Sequence, residues 1–421
     1  MKTVSGTQNR AGRAFPSTAP RNPEPRAGEP EAARRRVEEI LRATREGAPL
    51  SREDAVALLS LEHPETIRRV MEAARALRER HFGKRVFLYG FIYLSTHCRN
   101  HCSFCFYRRT NPASPRYRKQ PDDVVAIARE LVDSGVHLID LTLGEDPLSH
   151  DRGDFSPLSE AVRGVKAATG VPVMVSPGVV PPAVVGRLAE AGADWYAIYQ
   201  ETHSRRLFRE LRIGQDFDER ARTRAEALRA GLLIEDGILL GVGESAADRA
   251  DSAMAMRREG IHQARAMGFV PQVGTPLEHL PRPSRLQEAL AVAVLRLAMP
   301  DRLIPASLDI DGIRGLELRL EAGANVVTSI IPPSRHLAGV SQSSLDIEQG
   351  LRTVPQVRRV LESLGLACAD VEEYRAWVKV QRGRLGALPG GDRDSAPGTA
   401  DPPAAPPFPA PGEPDRVPLS E

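Results

Sequence analysis

Cys98, Cys102 and Cys105 fall within the short run CRNHCSFC, and they are three of the chain's four cysteines. Three thiolates so spaced can hold three corners of a cubane 4Fe–4S cluster, leaving the fourth iron open to another ligand. Zinc would need a fourth ligand, and His97 or His101 is close enough in sequence to supply one. Zinc sites of this kind, however, usually add a second ligand pair downstream, and Cys368 stands alone. A disulfide is disfavoured in a chain with so little cysteine and no secretory signal. The spacing therefore points to the cluster.

Other polar residues with chemical potential sit in or just after apolar runs. Asp140 lies inside IDLTLGEDP, two residues before Thr142, and period-two alternation turns it inward, where a carboxylate needs a cationic partner or a bound amine. Gly144 and Glu145 follow, allowing close backbone approach to a ligand beside a group that accepts from an ammonium. The segment YQETH carries Glu201 and His203, the latter reading as a helix-cap residue rather than a catalytic one. Arg220 opens the next helix, where a guanidinium can grip a carboxylate bidentately. Arg265 lies inside an apolar run and must find a carboxylate. Alternation then places Ser307, Asp309 and Asp311 on one face. Asp140, Arg265, Ser307 and Asp309 form an expected polar ring of both charge signs, suited to a zwitterionic amino acid with a second amine. The alternative is a charged network that merely closes the fold.

These residues need a frame, and the chain supplies one. Short apolar runs near 86–94, 137–143, 173–175, 195–199, 232–240, 263–270, 303–308 and 326–331 alternate with charged helical stretches. Near-continuous apolar strands separated by helices predict a parallel (β/α)8 TIM-type barrel, whose chemistry gathers at the carboxyl ends of its strands. Residues 31–82 read as helical, with a capping-box signal at Ser51–Asp54. The expected division is a disordered extension at 1–30, helices at 31–82, the barrel at 83–345, helices at 346–385 and a proline-rich disordered tail at 386–421. Ten of the last 36 residues are proline, too many to support a packed core. With 57 basic residues against 55 acidic, the net charge of +2 offers no case for nucleic acid or a membrane surface. No apolar run reaches the roughly 18–20 residues of a membrane span. Low cysteine use and an oxygen-sensitive cluster point to the cytoplasm.

Taken in order, FLYGFIY, CRNHCSFCFYRR, IDLTLGEDP, YQETHSRRLFRELR, GVGES, FVPQVGTP, PDRLIPASLDIDG and GANVVTSIIPP resemble the methylornithine synthases of pyrrolysine biosynthesis. That family belongs to the radical S-adenosylmethionine enzymes, with biotin synthase and the iron-only hydrogenase maturase as wider relatives. The resemblance runs from about residue 82 to about residue 378. It implies that Cys98, Cys102 and Cys105 hold a 4Fe–4S cluster whose open iron chelates the amino and carboxylate groups of S-adenosylmethionine. Glu201, Arg220 and Ser176 would serve the amino-acid end of that cofactor, with Gly144 and Glu145 beside them. Asp140, Arg265, Ser307 and Asp309 would bind the substrate, with the choice of aspartate for each amine left open. The implied reaction isomerises L-lysine to (3R)-3-methyl-D-ornithine by fragmentation and recombination, with an electron donor such as flavodoxin or ferredoxin. A related enzyme acting on another amino acid is the alternative. Sulfur insertion of the biotin type is disfavoured, because Cys368 alone cannot ligate a second iron–sulfur centre.

Overall fold

The computed structural model describes residues 31–332 and 352–386. The extension expected at 1–30 and all but the first residue of the expected tail lie outside them.

The alternating aromatics of β1 (Arg85–Ser95) set the orientation of the whole sheet. Phe87, Tyr89, Phe91 and Tyr93 point to one face, and their contacts with Tyr374, Asp309 and the central cavity show that face to be the barrel interior. On the outer face, Gly90 admits a helix: a Cβ there would come within 2.9 Å of the Leu131 side chain. Seven more strands follow: β2 (Leu138–Leu143), β3 (Val173–Ser176), β4 (Trp195–Ala197), β5 (Leu233–Leu240), β6 (Gln263–Gly268), β7 (Pro305–Ser307) and β8 (Val326–Ile330). All pair in parallel, in the order β6-β5-β4-β3-β2-β1-β8-β7. The circle closes between β6 and the run leading into β7. There Ala264 N–H donates to Leu303 O at 3.0 Å, and Leu303 N–H donates to His262 O at 3.0 Å. The expected (β/α)8 architecture is the one observed.

Two sets of helices complete the frame. α1 (Glu31–Arg45), α2 (Arg52–Leu59) and α3 (Pro64–Phe82) lie outside the barrel; α2 and α3 lie against the helices Ala246–Arg258 and Arg285–Ala298, and α1 packs on α3 and α2. Arg257 and Gln287 from those helices donate to Leu50 O and Leu61 O, each at 2.8 Å. The Ser51 side chain accepts from Asp54 N–H at the start of α2, as its sequence suggests. At the other end of the chain, helix Val371–Gly386 brings Tyr374 and Trp377 under the amino ends of the strands. Trp377 stacks on Trp195 with centroids 6.0 Å apart, and the hydroxyls of Tyr374 and Tyr89 are 2.6 Å apart. This aromatic floor leaves the carboxyl end of the barrel as the open end. A short strand, β9 (Ala367–Cys368), pairs with the start of β1, so Cys368 sits on the order of 30 Å of strand away from the cysteine loop.

The seventh apolar run of the sequence pattern needs one correction. Strand alternation does not extend to Asp311, because β7 ends at Ser307 and the chain turns into a single 3-10 turn at Gly312–Gly315. Asp311 there accepts from Arg285 at 2.7 Å and Arg319 at 2.9 Å, away from the cavity wall.

Candidate active site

β1 delivers the cysteine loop directly onto the open end of the barrel. Arg116 ties the loop together by donating to four of its carbonyls: Thr96, Tyr107 at 3.0 Å, Arg108 at 2.7 Å and Asn111 at 3.4 Å. Ser103 N–H fastens it to Leu211 O at 2.8 Å across the mouth. All three cysteines face one cavity of about 1250 Å³, mouth included. Gly144 packs against this loop so closely that a Cβ would lie 2.9 Å from Cys98 Cβ and 3.1 Å from its sulfur. Glycine is required there to let the two loops meet.

Burial pushes the Cys98 thiol up to about 11, and burial next to Cys102 pushes Cys105 up as well. Such thiols become thiolates only when a metal takes the charge. The donor set thus fits an iron–sulfur cluster, and no histidine joins the cysteines on the cavity wall.

Between the cysteines and the end of β4 stand two buried guanidiniums. Arg212 donates to Glu201 Oε1 at 2.6 Å and to Tyr199 O at 3.0 Å, and its Nη1 lies 3.8 Å from Cys102 sulfur. Arg220 donates to Tyr199 O from two nitrogens, at 3.0 and 2.7 Å. Burial and the neighbouring Arg212 lower the Arg220 pKa, outweighing the opposite pull of Glu145 and Glu201. Glu201 itself is held at φ +66°, a left-handed conformation unusual for glutamate. Its backbone is clamped to β5 by Glu201 N–H to Gly237 O and Leu239 N–H to Glu201 O, both 2.9 Å. The carboxylate atom Oε2 and the Ser176 hydroxyl, also on the cavity wall, have no hydrogen-bond partner among the described residues. Glu145 accepts from Val179 N–H at 3.1 Å and Arg99 at 3.0 Å.

His203 is not a cap: Ser204 holds that position, and the imidazole turns inward to within 3.4 Å of Asp236. Asp236 Oδ1 accepts from Gln200 N–H and Gly237 N–H at 2.7 Å each, and Arg224 lies 3.6 Å from its Oδ2. This buried network fixes the turn that presents Glu201.

The opposite half of the barrel carries the expected polar ring, arranged as two clusters. In the lower one, Arg265 donates from Nε to Glu235 Oε1 at 2.7 Å, with Asp140 beside them. Asp140 Oδ1, Glu235 Oε2 and Arg265 Nη2 all lack a hydrogen-bond partner among the described residues. Burial, and then repulsion from Glu235, push Asp140 up to about 8. In the upper cluster, Asp309 takes an ion pair from Arg352 at 2.8 Å and hydrogen bonds from Tyr93 at 2.8 Å and Ser329 at 2.6 Å. Arg265 and Asp309 line the cavity, whereas Asp140 and Ser307 lie behind its wall, each almost wholly buried.

Several participants are not singled out by the sequence pattern, Tyr93 and Ser329 on Asp309 among them. Glu235 carried the same signal as Arg265, an ionisable group within an apolar strand. Arg212 and Gln215 sat in a segment where only Arg220 drew notice. Arg352, more than twenty residues past β8, gave no positional signal at all.

The Radical SAM superfamily matches residues 92–255. A 3-methylornithine synthase from Methanosarcina barkeri is 44% identical over 331 residues, covering 79% of this chain and 94% of the relative. The chain belongs to the 3-methylornithine synthase family. The Methanosarcina acetivorans 3-methylornithine synthase is 43% identical, over 79% of this chain and 95% of that protein. A crystal structure of methylornithine synthase (PylB) superimposes with a TM-score of 0.76 at 43% identity, covering 80% of this chain and 99% of that one. The hydrogenase maturase subunit HydE of Thermotoga maritima is more distant, at 29% identity over 70% of this chain and 85% of its own. As a radical SAM enzyme of this family, the protein uses a 4Fe–4S cluster and S-adenosylmethionine. The three desolvated thiols and the two guanidiniums beside them are compatible with an anionic cluster and the carboxylate of S-adenosylmethionine. No described helix is long and apolar enough to cross a membrane.

Proposed function

We propose that the enzyme isomerises L-lysine to (3R)-3-methyl-D-ornithine in pyrrolysine biosynthesis. The observation that carries this reading is the lower cluster. Two buried carboxylates share one guanidinium, with open bonding atoms on all three, inside a barrel whose relatives are 3-methylornithine synthases. When bound, the cluster and S-adenosylmethionine supply a 5′-deoxyadenosyl radical that abstracts a hydrogen from the lysine chain.

The chain's residues have three tasks. Cys98, Cys102 and Cys105 ligate the cluster, while Glu201, Arg220, Ser176, Gly144 and Glu145 receive the amino-acid end of S-adenosylmethionine. Arg265 grips the substrate carboxylate through its uncommitted Nη2, and Asp140 with Glu235 receives an ammonium. Asp309, fixed by Arg352, Tyr93 and Ser329, and Ser307 behind it shape the remaining wall. Breakage of the substrate Cα–Cβ bond gives a glycyl-type fragment and an alkene, which rejoin at a different carbon. No atom is gained or lost, so the barrel must hold both fragments in register and keep water out.

The single electron arrives from a carrier such as flavodoxin or ferredoxin in the cytoplasm. In this reading the catalytic barrel has the bounds 83–345 and the C-terminal helical segment 346–385, with residues 333–351 outside the described residues, while 31–82 form the outer buttress and helix Val371–Gly386 the floor. The deciding experiment incubates the anaerobically reconstituted enzyme with S-adenosylmethionine, dithionite and L-lysine, then identifies products by mass spectrometry. Methylornithine of lysine's mass is expected. Cleavage of S-adenosylmethionine with lysine left intact would transfer the assignment to another amino acid.

A further inference from the structure

Gln215 occupies the turn between helices Arg205–Leu211 and Phe217–Arg229, behind the cavity wall. Its Nε2 lies 3.0 Å from the sulfur of Cys102, within reach of an N–H···S hydrogen bond. The other end of the same amide accepts from Arg212 Nη1 at 3.3 Å and Arg220 Nη1 at 3.4 Å. Those contacts fix which way the amide points. A guanidinium can only donate, so the carbonyl oxygen must face the two arginines and the NH₂ must face the sulfur. Turning the amide over would set donors against donors and a carbonyl against a thiolate. The backbone holds the residue in place as well, since Gln215 N–H donates to Arg212 O at 3.0 Å.

We infer that Gln215 is a positioning residue that sets the reduction potential of the cluster through the Cys102 sulfur. An N–H donated to a ligand sulfur withdraws electron density and stabilises the reduced, more negative cluster over the oxidised one, which raises the potential. The two arginines contacting the amide oxygen polarise the N–H and strengthen this effect. They also connect it to the S-adenosylmethionine side of the cavity, because Arg220 stands on that wall. The inference rests on the cluster and not on the identity of the substrate.

The test is an EPR-monitored redox titration of the reconstituted enzyme without lysine, comparing the parent with Gln215→Leu and Gln215→Glu. Gln215→Leu removes the donor. A tenfold shift of the one-electron equilibrium toward the oxidised cluster is expected, a midpoint about 59 mV more negative. Gln215→Glu keeps the size and the arginine contacts but presents an acceptor to the sulfur, and its midpoint should fall at least as far. Iron content should equal that of the parent in Gln215→Glu, which separates tuning from a merely structural role. If Gln215→Leu fails to take up iron, Gln215→Glu alone decides. A parent-like midpoint in Gln215→Glu, or loss of its cluster, overturns the inference. Failure of the lysine assignment would leave these midpoints unchanged.

Discussion

The two halves of the cavity have opposite charge deficits. On the cysteine side, three guanidiniums, Arg99, Arg212 and Arg220, face two carboxylates, Glu145 and Glu201. That half is one positive charge in excess until thiolates and a carboxylate arrive. On the far side, Arg265 and Arg352 face Glu235 and Asp309, and Asp140 is a third carboxyl that burial and Glu235 keep protonated near neutral pH, so that its ionisation would leave one negative charge in excess. Buried charge without a partner is costly, so each half is built for a ligand that supplies what it lacks. An anionic cluster with the carboxylate of S-adenosylmethionine fits the first, and an ammonium fits the second. The far side is itself divided. Asp309 is surrounded by donors, whereas Asp140 and Glu235 retain open lone pairs, so the incoming ammonium is directed to the lower cluster.

The largest effect should come from removing the anion on the cysteine side. Cys102→Ala should abolish the iron-dependent absorption and all cleavage of S-adenosylmethionine. Cys368→Ala, at the barrel's other end, should change neither. Iron content and turnover together check this, and a fully loaded, active Cys102→Ala enzyme would break the comparison at its root.

Next in size is the upper pair on the far side. Arg352→Met leaves Asp309 buried without its cation, which should lower stability by about 3–5 kcal/mol. Adding Asp309→Asn should return much of that loss, because the uncompensated charge is then gone. Denaturant midpoints of the single and double variants give the coupling directly. Strict additivity would mean that the Arg352–Asp309 pair is not a unit.

Smaller again is the loss of one cation on the cysteine side. Arg220→Ala should weaken S-adenosylmethionine binding by about 1.5–3 kcal/mol with the cluster intact, as expected for a charge-assisted contact. Equilibrium binding to the reconstituted protein is the measurement, and unchanged affinity would reduce Arg220 to a brace for Tyr199 O.

How much of this was legible in the sequence follows from which interactions are local. The barrel was readable because each strand is a short apolar run with its own helix, and the cysteine loop because its ligands are neighbours in the chain. Within the strands, Asp140 and Arg265 stood out as ionisable groups among apolar residues, yet their shared partner Glu235 was passed over although it obeys the same rule. Asp309 was found but its environment was not. Tyr93, Ser329 and Arg352 converge on it from three distant segments, and nothing in linear spacing encodes that meeting. Asp311 was misplaced for a related reason, since alternation predicts a face only while the strand continues and β7 stops at Ser307. Ser329, at φ +67°, adopts a conformation that no serine announces.

The proton on Asp140 tests the charge balance of the lower cluster most directly. Burial and the nearby Glu235 hold this carboxyl at about 8 in the folded protein, against an ordinary value of 3.8. Between those two pH values the folded state therefore binds a proton that the unfolded chain has released. Stability from this group is fully present below about pH 4 and is lost as pH rises through about 8, the reverse of a salt-bridged aspartate. Asp140→Asn is neutral at every pH and should flatten the decline in denaturant midpoint between about pH 4 and 8, the window this shift defines. Lysine should act with the opposite sign. Its ammonium favours the ionised carboxylate, so binding should release a proton near neutral pH, and the parent's apparent affinity should improve as pH rises toward 8. Calorimetry in buffers of different ionisation enthalpy would count that proton. Binding with no proton released, alongside an Asp140→Asn stability profile parallel to the parent's, would show that Asp140 is already ionised and that the ammonium is received elsewhere.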